Sequence, residues 1–351
     1  MLLQMLVVLC CCEADPASEV STRPAGDSAK SAHIRAGDLD VVFLDNSESP
    51  GVLSGIASLI NVKDAPGFNA FDPDSKGAAA GLNFEHIIAG HENPHNAFTP
   101  RHGPYRLYTL PDGRSVMLVR NAADDPWAMA STMKYTVTPP HYIDFEFRCR
   151  PADASLFGRH RYAILFWANY MNDVEDVAIN FRGIERRDGR EEWIRVDAPP
   201  GHPDHNHGGT WRHVQAKDLP RDDDLRFRLN SWSYEYPRFS KPFYYGRAAK
   251  GMTYILMFDR AYTPADELRF SLFKFKLDKF PRPAWDFQYV IHPVEQDREY
   301  GYRARAVWKK FISPEDCLAE YESWARSMAG PSVAGQIQSP DAPATAPARR
   351  E

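Results

Sequence analysis

The run from His141 to Arg150 alternates without a fault. Ile143, Phe145, Phe147 and Cys149 fall on one side, and Asp144, Glu146, Arg148 and Arg150 on the other. Side chains along a strand have a period of two, so this pattern predicts a strand with one dry face and one wet face. A Pro/Asp/Ser/Gly loop follows, and then RYAILFWANY (Arg161 to Tyr170), which is apolar on both faces and therefore reads as a central strand. NDVED turns the chain into VAINF, and the stretch to Arg182 reads as the middle of an antiparallel sheet over an aromatic core.

The same period recurs along the chain. DLDVVFLDN from Asp38 reads as a first strand, and VLSGIASLI as a short apolar piece within long loops. RLYTL and RSVMLVR flank Asp112-Gly113, a hairpin signal. MASTMKYTVT, EEWIRVD, WRHVQAK, LRFRLNSW, MTYILMFD, ELRFSLFKFKL, AWDFQYVI and YRARAVWKKF are further strands. In ELRFSLFKFKL the inward set shifts from Leu268, Phe270 and Leu272 to Phe273 and Phe275, which predicts a bulge. At Ser313 the period changes: Ser313 is a helix cap, Pro314 suits the first helical position, and Glu315 and Asp316 suit the positive end of the dipole. The expected fold is all-β: a large antiparallel two-sheet sandwich, of supersandwich or jelly-roll type, with one C-terminal helix over residues 313–329. With 13% aromatic residues, 28 Pro and 21 Gly, composition also favours strands and structured loops.

Four segments are expected. Residues 1–12 resemble a signal or lipoprotein segment, residues 13–36 a disordered Ser/Ala/Pro-rich linker, residues 37–330 a single sandwich domain, and residues 331–351 a disordered tail. No Lys or Arg precedes the apolar N-terminal run, and Leu9 stands before Cys10 where a lipoprotein site takes a small residue; a misplaced start is the alternative. The expectation is export, to the medium or to the cell envelope, with the membrane touched only through an N-terminal lipid anchor. Cys149 and Cys317 read as buried small hydrophobes, with a disulfide between them left open. The formal charge of −5 and the absence of a basic run argue against a nucleic-acid partner.

MKYTVTPPHYIDFEFRCRPAD, the His-bearing loop upstream of it, the Phe-rich late strand pair and the closing aromatic strand together resemble the galactose-mutarotase-like supersandwich over roughly Phe84 to Phe311. Polysaccharide lyases and accessory domains of glycoside hydrolases share that fold. The resemblance implies sugars as ligands; it implies no epimerase reaction, because the family's catalytic His and Glu have no assigned counterparts in this chain.

Four groups of residues could carry chemistry. Glu85 and His86, with Arg101 and His102 beyond the next loop, offer an acid/base pair and a cation for an anionic sugar. Neighbours on a regular strand face opposite ways, so only one of Glu85 and His86 is expected to enter a site. In GHPDHNHGGTWRH, His205 and His207 lie two apart and share a side of an extended segment, a spacing that suits a divalent metal ion; exposed imidazoles are the plainer alternative. The aromatic loop carries Trp232, Tyr234, Glu235, Tyr236, Arg238, Tyr244 and Tyr245, a mixture suited either to stacking on sugar rings or to packing the loop on the sandwich. His160 precedes the central strand, while Trp167 and Asn169 share one of its faces and are expected, with Trp211, to touch substrate or to be structural. The leading expectation is an exported protein that binds and cleaves a polysaccharide or oligosaccharide, the Arg and Lys near the aromatic loop hinting at an acidic one. A lyase would draw on Arg101, His102, His160, His205, Tyr234 and Tyr236, and a hydrolase on Glu85, Glu235 and Asp286. A non-catalytic glycan-binding scaffold and a metal-dependent enzyme are the alternatives, and no other cofactor is expected.

Overall fold

The computed structural model describes residues 24, 26–47, 53–74, 79–89, 100, 103–186, 189–197, 207–220, 235–259, 266–274 and 282–328. The strands, in chain order, are β1 (Asp27–Ala29), β2 (Ser31–Ala36), β3 (Leu39–Leu44), β4 (Gly55–Asn61), β5 (Asn83–Ile88), β6 (Arg106–Thr109) and β7 (Ser115–Arg120). They continue with β8 (Met129–Thr138), β9 (Tyr142–Pro151), β10 (Ala163–Ala168), β11 (Val174–Ile184), β12 (Glu191–Val196) and β13 (His207–Arg212). The last are β14 (Arg238–Phe239), β15 (Phe243–Ala248), β16 (Met252–Phe258), β17 (Asp266–Lys274), β18 (Pro283–Ile291) and β19 (Tyr300–Lys310). One helix, α1 (Pro314–Met328), follows.

These strands form a sandwich. One sheet runs β1-β6-β7-β8-β9-β19-β16-β15-β11-β12, with β14 also on β11; the other runs β13-β17-β18-β10-β5; all named pairings are antiparallel. The alternation in β9 is realised as predicted, with Ile143, Phe145, Phe147 and Cys149 buried. Between the sheets, Trp167 of β10 lies flat against Phe84 of β5 (centroids 4.7 Å apart, planes 12° apart) and Phe287 of β18 (5.3 Å, 2°). Phe147 and Tyr302 from the large sheet meet the same indole edge-on at 4.7 and 5.3 Å. Farther along, Phe270 of β17 packs on Tyr244 and Phe181 of the large sheet. Offset and edge-on contacts of this kind add to the area each ring removes from water.

A third sheet, β2-β3-β4, covers another part of the large sheet through Phe43 on Tyr135, and Asn61 donates from Nδ2 to the Trp308 carbonyl (2.9 Å). Residues 27–36 therefore correct the expected linker. Ala32 and Ile34 alternate with exposed neighbours, and Arg35 holds Asp40 across the β2-β3 hairpin at 2.7 Å. That short alternation was hidden in Ser/Ala-rich composition. The bulge expected after Leu272 is also absent, because β17 pairs with β18 without a break from Asp266 to Lys274 and Phe273 simply turns to the opposite face. LRFRLNSW, the apolar N-terminal run, half of the expected linker and the expected tail lie outside the described residues.

The chain divides into two compact units, Met1–Lys310 and Phe311–Glu351. In the second, Ser313 caps α1 as its sequence predicts, its Oγ accepting from the Asp316 amide at 3.2 Å. Cys149 and Cys317 are both buried, and neither is in a disulfide.

Trp167→Ala would empty the place where five rings converge. It should cost roughly 3–5 kcal/mol of stability, measured by urea unfolding. A loss under about 1 kcal/mol would contradict the packing described.

Candidate functional site

Because Trp167, Phe287, Phe270 and Trp211 point between the sheets, the period of two sends their neighbours to the outer face of the five-stranded sheet. Register then lines up side chains from all five strands. Arg212 of β13 lies opposite Arg269 of β17, Arg269 opposite Gln288 of β18, Gln288 opposite Phe166 of β10, and Phe166 opposite His86 of β5. A second row on the same face holds Thr210, Ser271 and Asp286, with Ala168 and Asn83 paired beyond them. Exposure of the polar members is between 0% (Gln288, Asn83, Thr210) and 8% (Arg212), so this face is buried yet strongly polar. On one side it meets an apolar patch of Ile88, Tyr162, Ile164 and Val290.

The bulge is in β5. Phe166 pairs with His86 while the next residue, Trp167, pairs with Phe84, so Glu85 is the extra residue. A bulge places two successive residues against one and re-aims a side chain. Glu85 and His86 thereby come together, Glu85 Oε2 lying 3.6 Å from His86 Nε2, and the expectation that they face opposite ways is corrected. His86 stacks on Phe166 at 4.5 Å and 22°, and the Tyr170 hydroxyl donates to Glu85 Oε1.

Asp286 completes the group. Burial pushes its carboxyl well above the usual carboxylate range, the nearby Glu85 charge pushes it further, and the Asn169 amide, donating to Oδ1 at 2.8 Å, opposes them. Folding therefore favours the protonated form of Asp286, which lies beside a second carboxylate that contacts an imidazole and a phenol. Two titratable groups with opposed environments are what acid/base chemistry uses. Among the described residues the Gln288 side chain has no hydrogen-bond partner at either amide atom, and neither does Asn83. A buried amide left unmatched costs roughly 1–3 kcal/mol, so two on one face are places where a polar group would be held. Arg269 forks onto Glu267 (3.1 and 3.2 Å), both buried.

The other expected site residues fall elsewhere. Trp167, Trp211 and Tyr244 are core residues, correcting the expectation of ligand contact, since their rings fill the space between the sheets and Tyr244 donates to the Trp285 carbonyl at 2.8 Å. Asn169 is structural for the same reason: its Oδ1 accepts from Leu82 N and Tyr254 Oη, and its Nδ2 donates to Trp285 O. Tyr245 lies on the large sheet, edge-on to Trp193 at 5.7 Å. Arg238 stacks over Tyr236 at 5.7 Å and donates to the Ala216 and Glu235 carbonyls, while Glu235 is exposed, 3.9 Å from Arg186. His160 accepts from Arg159 Nε at 3.0 Å in the turn before β10. Arg101, His102, His205, Trp232 and Tyr234 lie outside the described residues, as does the His207 side chain; among the described residues no cluster of three His, Cys, Asp or Glu side chains is placed to hold a metal. Sequence reasoning missed Arg269, Gln288 and Arg212 as site residues. Their signal was the polar half of each alternation, Glu267-Arg269-Ser271 and Asp286-Gln288, which reads equally well as a solvated face.

No protein-family model matches the sequence, and no curated protein is significantly similar to it. Solved structures do share features of its fold. A candidate aldose 1-epimerase from Escherichia coli K12 superposes with a TM-score of 0.45 at 10% identity, over 80% of this chain and 99% of that one. A GalM/aldose epimerase homologue from C. elegans gives 0.42 at 10% identity, over 82% and 100%. The heparan sulfate lyase HepC from Pedobacter heparinus gives 0.40 at 11% identity, over 83% of this chain and 37% of that one.

A carboxyl whose pKa is raised by folding stabilises fully below its unfolded value, near 4, and that stability is lost as pH rises through the folded value. Asp286→Asn keeps an acceptor for the Asn169 amide and has no charge to bury. It should melt above the parent at pH 8, with the gap closing toward pH 4. A gap independent of pH would contradict a protonated Asp286.

Proposed function

We propose that the outer face of the five-stranded sheet binds a segment of an acidic polysaccharide and cleaves it by acid/base catalysis. The observation that carries this reading is the β5 bulge, which brings Glu85 and His86 onto the face that also holds Asp286. Asp286 donates its proton to the glycosidic oxygen as the bond to the leaving sugar breaks. In elimination, the Glu85–His86 pair takes the proton from the carbon next to a uronate carboxyl, and the electron pair forms a C=C bond. In hydrolysis, the pair takes a proton from the attacking water instead. Gln288 and Asn83 supply amides that match sugar hydroxyls or an acid group, and Tyr170 holds Glu85 in place. Export, proposed from the apolar N-terminal run, would put the protein where such polymers occur.

A second reading, glycan binding without turnover, is favoured by the half-buried Trp193 beside Tyr245 and Phe243 on the large sheet, with Arg182 over its ring at 5.5 Å. Aromatic rings backed by a cation suit sugar faces.

Incubation with neutral and acidic polysaccharides, following reducing ends and the ultraviolet absorbance of unsaturated uronates together, separates these outcomes. Elimination gives both signals and hydrolysis gives reducing ends alone. Glu85→Gln and His86→Gln should each lower turnover by about 10²-fold or more. Binding without either signal, abolished by Trp193→Ala and untouched by Glu85→Gln, would replace the catalytic reading by the second.

A further inference from the structure

The row across the outer face is chemically polar in its order. Glu85 and His86 stand at the β5 end, and the far end carries two arginines in direct register, Arg212 on β13 and Arg269 on β17. Like charges directly opposite on neighbouring strands destabilise a sheet. Arg269 is balanced by the buried Glu267. Arg212 is nine-tenths buried along its side chain, yet its carboxylate contact among the described residues, Asp218 at 2.7 Å, is 92% exposed. Its Nε is buried and has no hydrogen-bond partner among the described residues. Among the described residues, the carboxylate that this guanidinium contacts is thus an exposed one. Between the two ends stand Gln288 and Phe166, a neutral amide and an apolar ring.

Resting on the reading above, we propose that Arg212 and Arg269 form an anion subsite for a carboxylate or sulfate group of the saccharide, remote from the reacting bond. From β5 to β17 is three strand spacings, about 14 Å, and β13 adds one more. That span exceeds a single pyranose ring. The ligand is therefore an oligomer whose acidic group lies beyond the sugar at the acid/base pair. A planar guanidinium matches either oxyanion through paired N–H donors. Such a subsite orients the chain, because only one direction puts an acidic group on the arginines while a glycosidic bond reaches Glu85, His86 and Asp286.

The test uses the full chain and three hexasaccharide probes: a polyuronate carrying carboxylates only, a sulfated neutral glycan, and its unsulfated parent. Affinity is measured by titration calorimetry at two salt concentrations, and kcat and KM on whichever probe is cleaved. Arg212→Gln should weaken an acidic hexasaccharide about tenfold and flatten its salt dependence, with KM raised and kcat retained. The unsulfated parent and an acidic disaccharide should not discriminate variant from parent. The acidic probe that responds identifies carboxylate or sulfate. Arg269→Gln should act in the same direction, but it strands Glu267, so Arg212→Gln with an unchanged melting temperature carries the test. Unchanged affinity of Arg212→Gln for both acidic probes overturns the subsite alone. Loss of affinity without turnover in the parent keeps the subsite and removes the cleavage reading, and a parent that binds no acidic probe removes both.

Discussion

Trp167 between Phe84 and Phe287 is the contact on which the rest of this molecule depends. The three rings come from three adjacent strands of one sheet, and Phe147 and Tyr302 of the opposing sheet close on the same indole. A slip of one residue in β10 would turn Trp167 outward and Phe166 inward, exchanging every side chain between the faces. The stack therefore sets the register of β5, β10 and β18 from within the core. What stands on the other face follows from it, since an outward residue has no freedom once its neighbours are committed inward.

That face has an unusual composition for a surface of a sandwich. Buried arginines, two amides without a partner among the described residues, a carboxyl whose protonated form burial favours and a bulge-aligned Glu–His pair occupy two adjacent rows. Each of these is costly to folding by itself. A buried carboxyl loses its hydration, an unmatched amide loses its hydrogen bonds, and facing guanidinia repel. A sheet optimised only for stability would carry Val or Thr at such positions. The costs accumulate on one face while the inner face is almost wholly apolar, which is the distribution expected when a site is built upon a stable core.

Much of the fold was legible in the sequence, because it rests on local periodicity. The alternation of β9, the Asp112-Gly113 hairpin, the doubly apolar β10 and the Ser313 cap all report their structure within a few residues. The site was legible only in pieces. Glu85, His86 and Asp286 were visible as titratable residues, but the bulge that unites the first two exists only in the pairing of β5 with β10, and no local period announces it. Trp167 and Asn169 stay open between ligand contact and a structural role in the sequence, because a doubly apolar strand does not reveal which face meets the second sheet. Arg212 and Arg269 lie far apart in sequence and become neighbours through the β13-β17 ladder, so neither one alone suggests a cation pair.

The central claim is that a saccharide occupies the outer face beside the Glu85–His86 pair. The most direct test is the ¹H–¹⁵N correlation of the His86 imidazole, assigned by its loss in His86→Gln, recorded with and without a saturating acidic oligosaccharide. A ligand on this face, stacked near Phe166 and in contact with the ring, should shift the His86 Nε2 and Nδ1 signals while leaving those of His33, exposed on the separate three-stranded sheet, in place. A ligand that binds tightly and leaves the His86 signals unmoved would contradict the account and place the binding surface elsewhere on the molecule.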